Sequence, residues 1–172
     1  LAFDSKGRLY VSDTGNKRVV VFDADGNYLT QFGKVGMQPG EFDEPVGIAI
    51  SKDDIIYIAD TWNQRIQALI GDSSGNFTPL TAWDVVGWYG QSLDNKPYLA
   101  IDAQDRLFIS DPEGYRILEF SGTGEFIRYW GDFSTGLDGM NLPIGVAVDP
   151  HGGLWVSDSG NHRLLHFSIP ED

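Results

Sequence analysis

An aspartate and an arginine recur five residues apart at four places in the 172-residue chain: Asp13 and Arg18, Asp60 and Arg65, Asp111 and Arg116, Asp158 and Arg163. Asn16, Asn63 and Asn161 stand three residues after the aspartate, with Gly114 at that place in the remaining copy. A carboxylate and a guanidinium at this spacing have two uses. They can pair across a tight turn through charge-assisted hydrogen bonds, or they can face a polar ligand together. Recurrence in every copy favours pairing, because a binding site usually breaks a repeat. Asp and Asn side chains also satisfy the backbone groups of a turn. The Asp, Asn and Arg set is therefore expected to hold hairpins rather than to act on a substrate.

The acids and histidines offer other possible chemistry. Asp23, Asp25 and Asn27 alternate around Gly26, as at the start of a D-x-D-G calcium loop. The twelfth position of such a loop needs a bidentate acid, and here it is Lys34. A surface hairpin without metal is expected, with Asp23, Asp25 and Asn27 as the one candidate trio. The acidic cluster Glu41, Asp43 and Glu44 reads as a solvated loop. His162 and His166 are four apart, a spacing that converges on a helix but not on a strand, and His151 falls elsewhere. The chain has no cysteine, which excludes disulfides, thiolate catalysis and cysteine-ligated metals. Neither a Ser-His-Asp set nor a carboxylate pair can be singled out among scattered serines and acids. The residues point to a non-enzyme without a cofactor.

The elements that position these groups follow from the spacing of the repeat. Successive motif aspartates lie 47, 51 and 47 residues apart, a period that points to a propeller or another β array. Hydrophobic residues make up 41% of the chain and aromatics 13%, with 21 glycines. That composition favours short strands and tight turns. Each unit divides into strand candidates. The first is "LAFD", "GIAI", "YLAI" or "GVAV". The second is "LYVSD", "IYIAD", "LFISD" or "LWVSD". The third is "RVVVF", "RIQAL", "RILEF" or "RLLHF". The fourth is "YLTQFG", roughly "LTAWDVVG", or "FIRYWG", and the last unit has none. Near-continuous apolar strands are buried on both faces, as stacked sheets require. Gly47, Ala49, Gly145 and Ala147 keep the first strand slim where sheets crowd. Turns such as "DADGNY", "GDSSGN" and "SGTGEF" close the later hairpins.

The stretches "PVGIAI…IYIADTWNQR" and "PIGVAV…LWVSDSGNHR" resemble the NHL repeat, whose pattern is P-x-G-[IV]-A-[IV] followed by [LI]-[YWF]-[VI]-[SA]-D-[TS]-x-N-x-R. The first unit matches from "LAFD" onward. The third departs, with "PYLAI" lacking the glycine and "DPEGYR" lacking the Thr/Ser and the Asn. The resemblance implies an all-β fold, a β-propeller built from four NHL-type units with four-stranded blades, the last lacking its outer strand. One domain over 1–172 is expected, with blades at about 1–44, 45–96, 97–142 and 143–172. Propellers of this family often close with six blades. Three readings of the count stay open: part of a longer propeller, a four-bladed toroid with a frayed last blade, or copies that complete one another.

Charge narrows the partners. A net charge of −13 repels phosphate backbones, so no nucleic acid is expected, although some relatives bind RNA through a basic face. No apolar run approaches the roughly 20 residues of a spanning helix, so no membrane insertion is expected. Related propellers include calcium-dependent lactonases and zinc-dependent lyases, which need convergent ligands on the innermost strands. Here those strands offer small aliphatics, and Asp4, Ser51, Asp102 and Asp149 at their ends read as turn formers. In propeller topology the long connections 33–45, 87–97 and 131–143 share an end with the D-x-x-N-x-R turns. Trp62, Trp88, Tyr89, Tyr115, Phe133 and His162, with Met37 and Met140, are therefore expected on one contact face. The function expected is an interaction scaffold for a protein, peptide or glycan. The alternatives are a structural subunit that self-assembles through its open fourth blade, and a calcium-dependent propeller hydrolase. The compartment stays open, with the extracellular space or a cell surface favoured.

Overall fold

β-Branched and aromatic residues suit a pleated, packed surface, and Gly or Asx turns end each run after a few residues. The computed structural model describes residues 1–88 and 95–170, and fifteen strands form among them. The first sheet is β1 (Ala2–Phe3), β2 (Leu9–Asp13), β3 (Arg18–Phe22) and β4 (Tyr28–Phe32). The second is β5 (Pro45–Ile50), β6 (Ile55–Asp60), β7 (Arg65–Gly71) and β8 (Phe77–Asp84). The third is β9 (Leu99–Ile101), β10 (Arg106–Asp111), β11 (Arg116–Ser121) and β12 (Phe126–Trp130). The fourth has three strands among the described residues, β13 (Pro143–Val148), β14 (Gly153–Asp158) and β15 (Arg163–Ser168). All ladders are antiparallel between neighbours in sequence. These are four blades of the propeller type, the last with three strands among the described residues.

The turns repeat as closely as the strands. Between the first and second strands a side-chain oxygen caps the turn. Asp4, Asp102 and Asp149 each accept two backbone N–H groups within four residues, and Ser51 Oγ accepts from Ile55. Between the second and third strands, the residue before the motif arginine takes the left-handed conformation in every blade. Lys17, Gln64, Tyr115 and His162 have φ of 53–56° there. The side chains at this place are ordinary ones, and the turn is held from outside by the Asp and Arg described below.

Strand limits differ from expectation in the second blade. Its outer strand β8 starts at Phe77, and Val86–Trp88 forms a 3₁₀ turn instead of continuing it. Pro79 sits within β8 at a register shift opposite Leu69, which an edge strand tolerates because no further ladder needs the missing donor.

The chain forms two compact units, Leu1–Tyr89 and Gly90–Asp172. In the first, Tyr10, Val19 and Val21 of blade 1 pack on Ile48, Ile56, Ile58 and Leu69 of blade 2, around Phe42. In the second, Ala100, Phe108 and Ile117 of blade 3 pack on Leu154 and Val156 of blade 4, around Met140. Strands β6, β7, β10 and β11 are buried on both faces, which is why they read as continuous apolar runs. Strands β3 and β15 alternate instead, with one face less covered.

Candidate functional site

Each motif arginine reaches its aspartate. Nε lies 2.8 Å from the carboxylate in blades 1 and 2 and 2.7 Å in blades 3 and 4. The cross-strand register sets Asp13 opposite Arg18, Asp60 opposite Arg65, Asp111 opposite Arg116 and Asp158 opposite Arg163. Asn16, Asn63 and Asn161 donate to the same carboxylates. Asp60, Asp111 and Asp158 are fully buried, whereas Asp13 is half-buried. Hydrogen bonds from Asn16 and then Arg18 hold the Asp13 carboxyl below its ordinary range. In the third copy a Cβ on Gly114 would run into the Asp111 carboxylate, so glycine belongs to this tighter turn.

In blades 2 and 4 the set does a second job. Arg65 Nη1 donates to the Met37 carbonyl at 2.8 Å, and Nη2 to the carbonyls of Gln38 and Glu41. Asn63 donates to the Gly36 carbonyl, and Asp60 Oδ1 accepts from the Asp43 amide. The fourth blade repeats these contacts except the one from Arg65 Nη1 to Met37. Arg163 donates to the carbonyls of Gly136 and Gly139, Asn161 to that of Ser134, and Asp158 accepts from the Asn141 amide. The motif therefore clamps the backbone of the long loop that enters its blade. In blade 1 Arg18 instead donates to Gln31 on the outer strand.

The two clamped loops are ordered alike. Each closes with a parallel bridge, Val35 to Phe42 in one and Phe133 to Met140 in the other. Each starts at a glycine with positive φ, Gly33 or Gly131, where a Cβ would strike the Phe42 ring or the Tyr115 carbonyl. One side chain turns inward, Phe42 or Met140, and the tips stay out. Val35 and Met37 are exposed on the first loop, Phe133 and Leu137 on the second.

The expected contact face divides accordingly. Trp62 is 50% exposed, its backbone N–H donates to the Asp43 carbonyl of the first clamped loop, and the Lys17 ammonium lies 5.1 Å from its ring centre. Lys17 also bridges to Asp43 at 3.1 Å and Glu44 at 2.8 Å. In the second unit Tyr115 meets Phe133 edge to face at 5.1 Å, and His162 is exposed on its turn. Two expected members leave the face. Trp88, in the 3₁₀ turn that follows β8, is only 1% exposed. Met140 is buried because the parallel bridge points it into the core of blades 3 and 4. Tyr89 lies outside the described residues.

The calcium-like trio is used up locally. Asp23 accepts from the backbone of Asp25 and Asn27 and from the Asn27 side chain, and Asp72 repeats this in blade 2 with Ser74 and Asn76. Glu41 pairs with Lys34. Among the described residues no group of three His, Asp or Glu could share a metal ion. A cleft of about 830 Å³ lies between blades 3 and 4 at the end carrying the first turns, lined by Asp102, Arg106, Ile127, Asp149, His151 and Ile169. Its charges are already engaged: Arg106 holds Asp102 at 2.7 Å and the Pro170 carbonyl at 2.9 Å. Asp149 accepts from Trp155 and faces His166 at 3.1 Å. One buried carboxylate went unnoticed in the sequence. Glu119, fully buried on β11, pairs with Arg128 at 2.7 Å and lies 3.6 Å from Arg106. The signal was present, since the first two blades carry Val21 and Ala68 at that position.

Comparisons with known proteins agree with the geometry. A family model described as "6-bladed beta-propeller" matches residues 3–68, and the NHL repeat model matches residues 140–167. The protein brain tumor of Drosophila melanogaster is 28% identical over 142 residues, covering 81% of this chain and 13% of that protein. NHL repeat-containing protein 3 of Mus musculus is 27% identical over 183 residues, covering 97% of this chain and 50% of that protein. The chain thus spans half or less of the length of these relatives. A solved streptogramin B lyase superposes with a TM-score of 0.64 at 16% identity, covering 98% of this chain and 53% of the enzyme, and shares the fold. No helix among the described residues is long and apolar enough to cross a membrane. Four antiparallel blades with a paired Asp and Arg at each second turn agree with both family models, and the chain is similar to NHL-repeat β-propeller proteins over most of its length.

Proposed function

We propose that the chain is a non-catalytic scaffold that binds a protein or peptide segment through the loop end of its blades. The observation that carries this reading is the contrast within loops 33–45 and 131–143. Their backbones are held by Arg65, Asn63 and Asp60, or by Arg163, Asn161 and Asp158, while apolar side chains at their tips stay in solvent. Apolar tips on a mobile loop would lose entropy on binding; tips on a fixed backbone lose less, which favours association. Trp62, Met37 and Val35 in one unit, and Phe133, Tyr115 and Leu137 in the other, are the anchors assigned. Aromatic and Met side chains on an ordered rim suit a protein partner better than a glycan or a phosphate backbone. The acidic charge adds a preference for neutral or basic segments.

Selection of a displayed peptide library on the chain tests this. Enriched peptides are expected to lose at least about tenfold in affinity, about 1.4 kcal/mol, on Trp62→Ala or Met37→Asp. Leu80→Asp, at an exposed position on the outer strand of blade 2, should leave them bound. Peptides that bind the loop-end variants as tightly as the wild type would refute the assignment.

A further inference from the structure

The chain carries two methionines and no cysteine, so Met37 and Met140 hold all of its sulfur. They sit on the two clamped loops and differ in access. Met140 is 2% exposed, in the core of blades 3 and 4. Met37 is 72% exposed, on the loop that joins β4 of blade 1 to β5 of blade 2. An oxidant must reach the sulfur lone pair, so exposure sets which thioether reacts first.

The backbone around Met37 is fixed without help from its side chain. Arg65 Nη1 holds the Met37 carbonyl at 2.8 Å, and Nη2 holds the Gln38 carbonyl at 3.2 Å. The Gly36 amide donates to the Phe42 carbonyl, and the Gln38 amide to Glu41 Oε2. None of these bonds involves the thioether. Converting it to a sulfoxide therefore changes the polarity of the tip and leaves the loop in place. The second clamped loop gives the contrast. Counted from Gly33 and Gly131, Thr135 stands where Met37 stands, and the exposed apolar residues of that tip, Phe133 and Leu137, contain no sulfur.

We propose that Met37 is an oxidative modification site that switches the first loop tip, and not the second, from an apolar to a polar contact surface. The reagent class is a hydroperoxide. The sulfur lone pair attacks one peroxide oxygen and the O–O bond breaks. The departing hydroxide or alkoxide takes the proton of the transferred oxygen and leaves as water or an alcohol. Sulfur loses two electrons and the peroxide gains them. The sulfoxide oxygen is a strong acceptor that resists burial against an apolar partner. A segment anchored on Val35, Met37 and Trp62 is released, and one anchored on Phe133, Tyr115 and Leu137 is kept. The release rests on the scaffold reading above; the modification does not.

Hydrogen peroxide titration with mass spectrometry of proteolytic fragments tests the modification. One added oxygen is expected on the fragment holding Met37, at least about tenfold faster than on that holding Met140, with an unchanged circular dichroism spectrum. Equal rates, or loss of the fold when Met37 alone is oxidised, overturn the proposal. Peptides free of Met and Cys, added after catalase has removed the peroxide, test the switch. Those weakened by Met37→Asp should lose about tenfold in affinity on oxidation and regain it with methionine sulfoxide reductase. Those weakened by Phe133→Asp should be unaffected. Met37→Leu has no sulfur, and whatever affinity it keeps should be the same before and after peroxide. Peptides weakened by Met37→Asp but indifferent to the sulfoxide overturn the switch while the scaffold reading stands. A selection that enriches no loop-end peptide overturns the scaffold reading and the release with it, and the fragment rates still decide the modification.

Discussion

Arg65 stands 2.8 Å from the buried carboxylate of Asp60, and the same guanidinium holds the carbonyls of Met37, Gln38 and Glu41. One side chain thus ties a hairpin to the loop that enters its blade. Arg163 and Asp158 repeat the arrangement, while Arg18 and Asp13 keep the pair without the loop.

The cost of losing the arginine should follow that difference. Arg65→Ala leaves Asp60 charged, buried and short of a partner, which costs about 3–5 kcal/mol. Arg18→Ala acts on a pair whose members are 34% and 27% exposed, where screening limits the loss to about 0–1 kcal/mol. Urea midpoints of the two variants make the comparison. Equal losses would mean that the loop clamp contributes nothing.

Two tryptophans on neighbouring connections should behave oppositely. Trp88→Ala empties a filled site and is expected to cost about 3–5 kcal/mol. Trp62→Ala removes a half-exposed ring and its contact with Lys17, worth about 0.5–1 kcal/mol. Thermal melts of both variants decide the matter, and the reverse order would put Trp62 in the core.

Glu119 and Arg128 replace an apolar and polar pair of the repeat. They face each other across β11 and β12 where blade 1 has Val21 opposite Thr30 and blade 2 has Ala68 opposite Thr81. Glu119→Val alone takes from Arg128 and Arg106 the buried carboxylate they share and should cost about 1–3 kcal/mol. Adding Arg128→Thr restores the repeat's pairing and should recover most of that loss. A double variant less stable than the single one would show that the ion pair stabilises blade 3 in its own right.

The first turn of blade 4 should be acid-sensitive. The amides of Gly153 and His151, then Trp155 and His166, hold the Asp149 carboxyl at about 2, below its ordinary 3.8. A carboxyl lowered on folding contributes stability that is complete above its unfolded value and is lost as pH falls through the folded one. The melting-temperature gap between wild type and Asp149→Asn should therefore narrow from pH 3.8 down to about 2. A gap independent of pH over that range would assign the contribution to geometry instead of charge.

The sequence by itself determined the repeat, most of the strands and the turns. These depend on groups a few residues apart: an apolar run between Gly or Asx turns, an aspartate opposite an arginine, an Asx oxygen over its own amides. It also set loops 33–45 and 131–143 beside the D-x-x-N-x-R turns of the blades they enter. Tertiary structure alone decided which residues there meet solvent. Trp62 and Trp88 both sit in 3₁₀ turns, yet one is half-exposed and the other buried, because the direction each ring takes depends on the strands packed around its turn and not on the turn itself. The capture of the loop carbonyls by Arg65 and Arg163 and the burial of Glu119 depend on partners distant in sequence. Only packing brings those partners into contact.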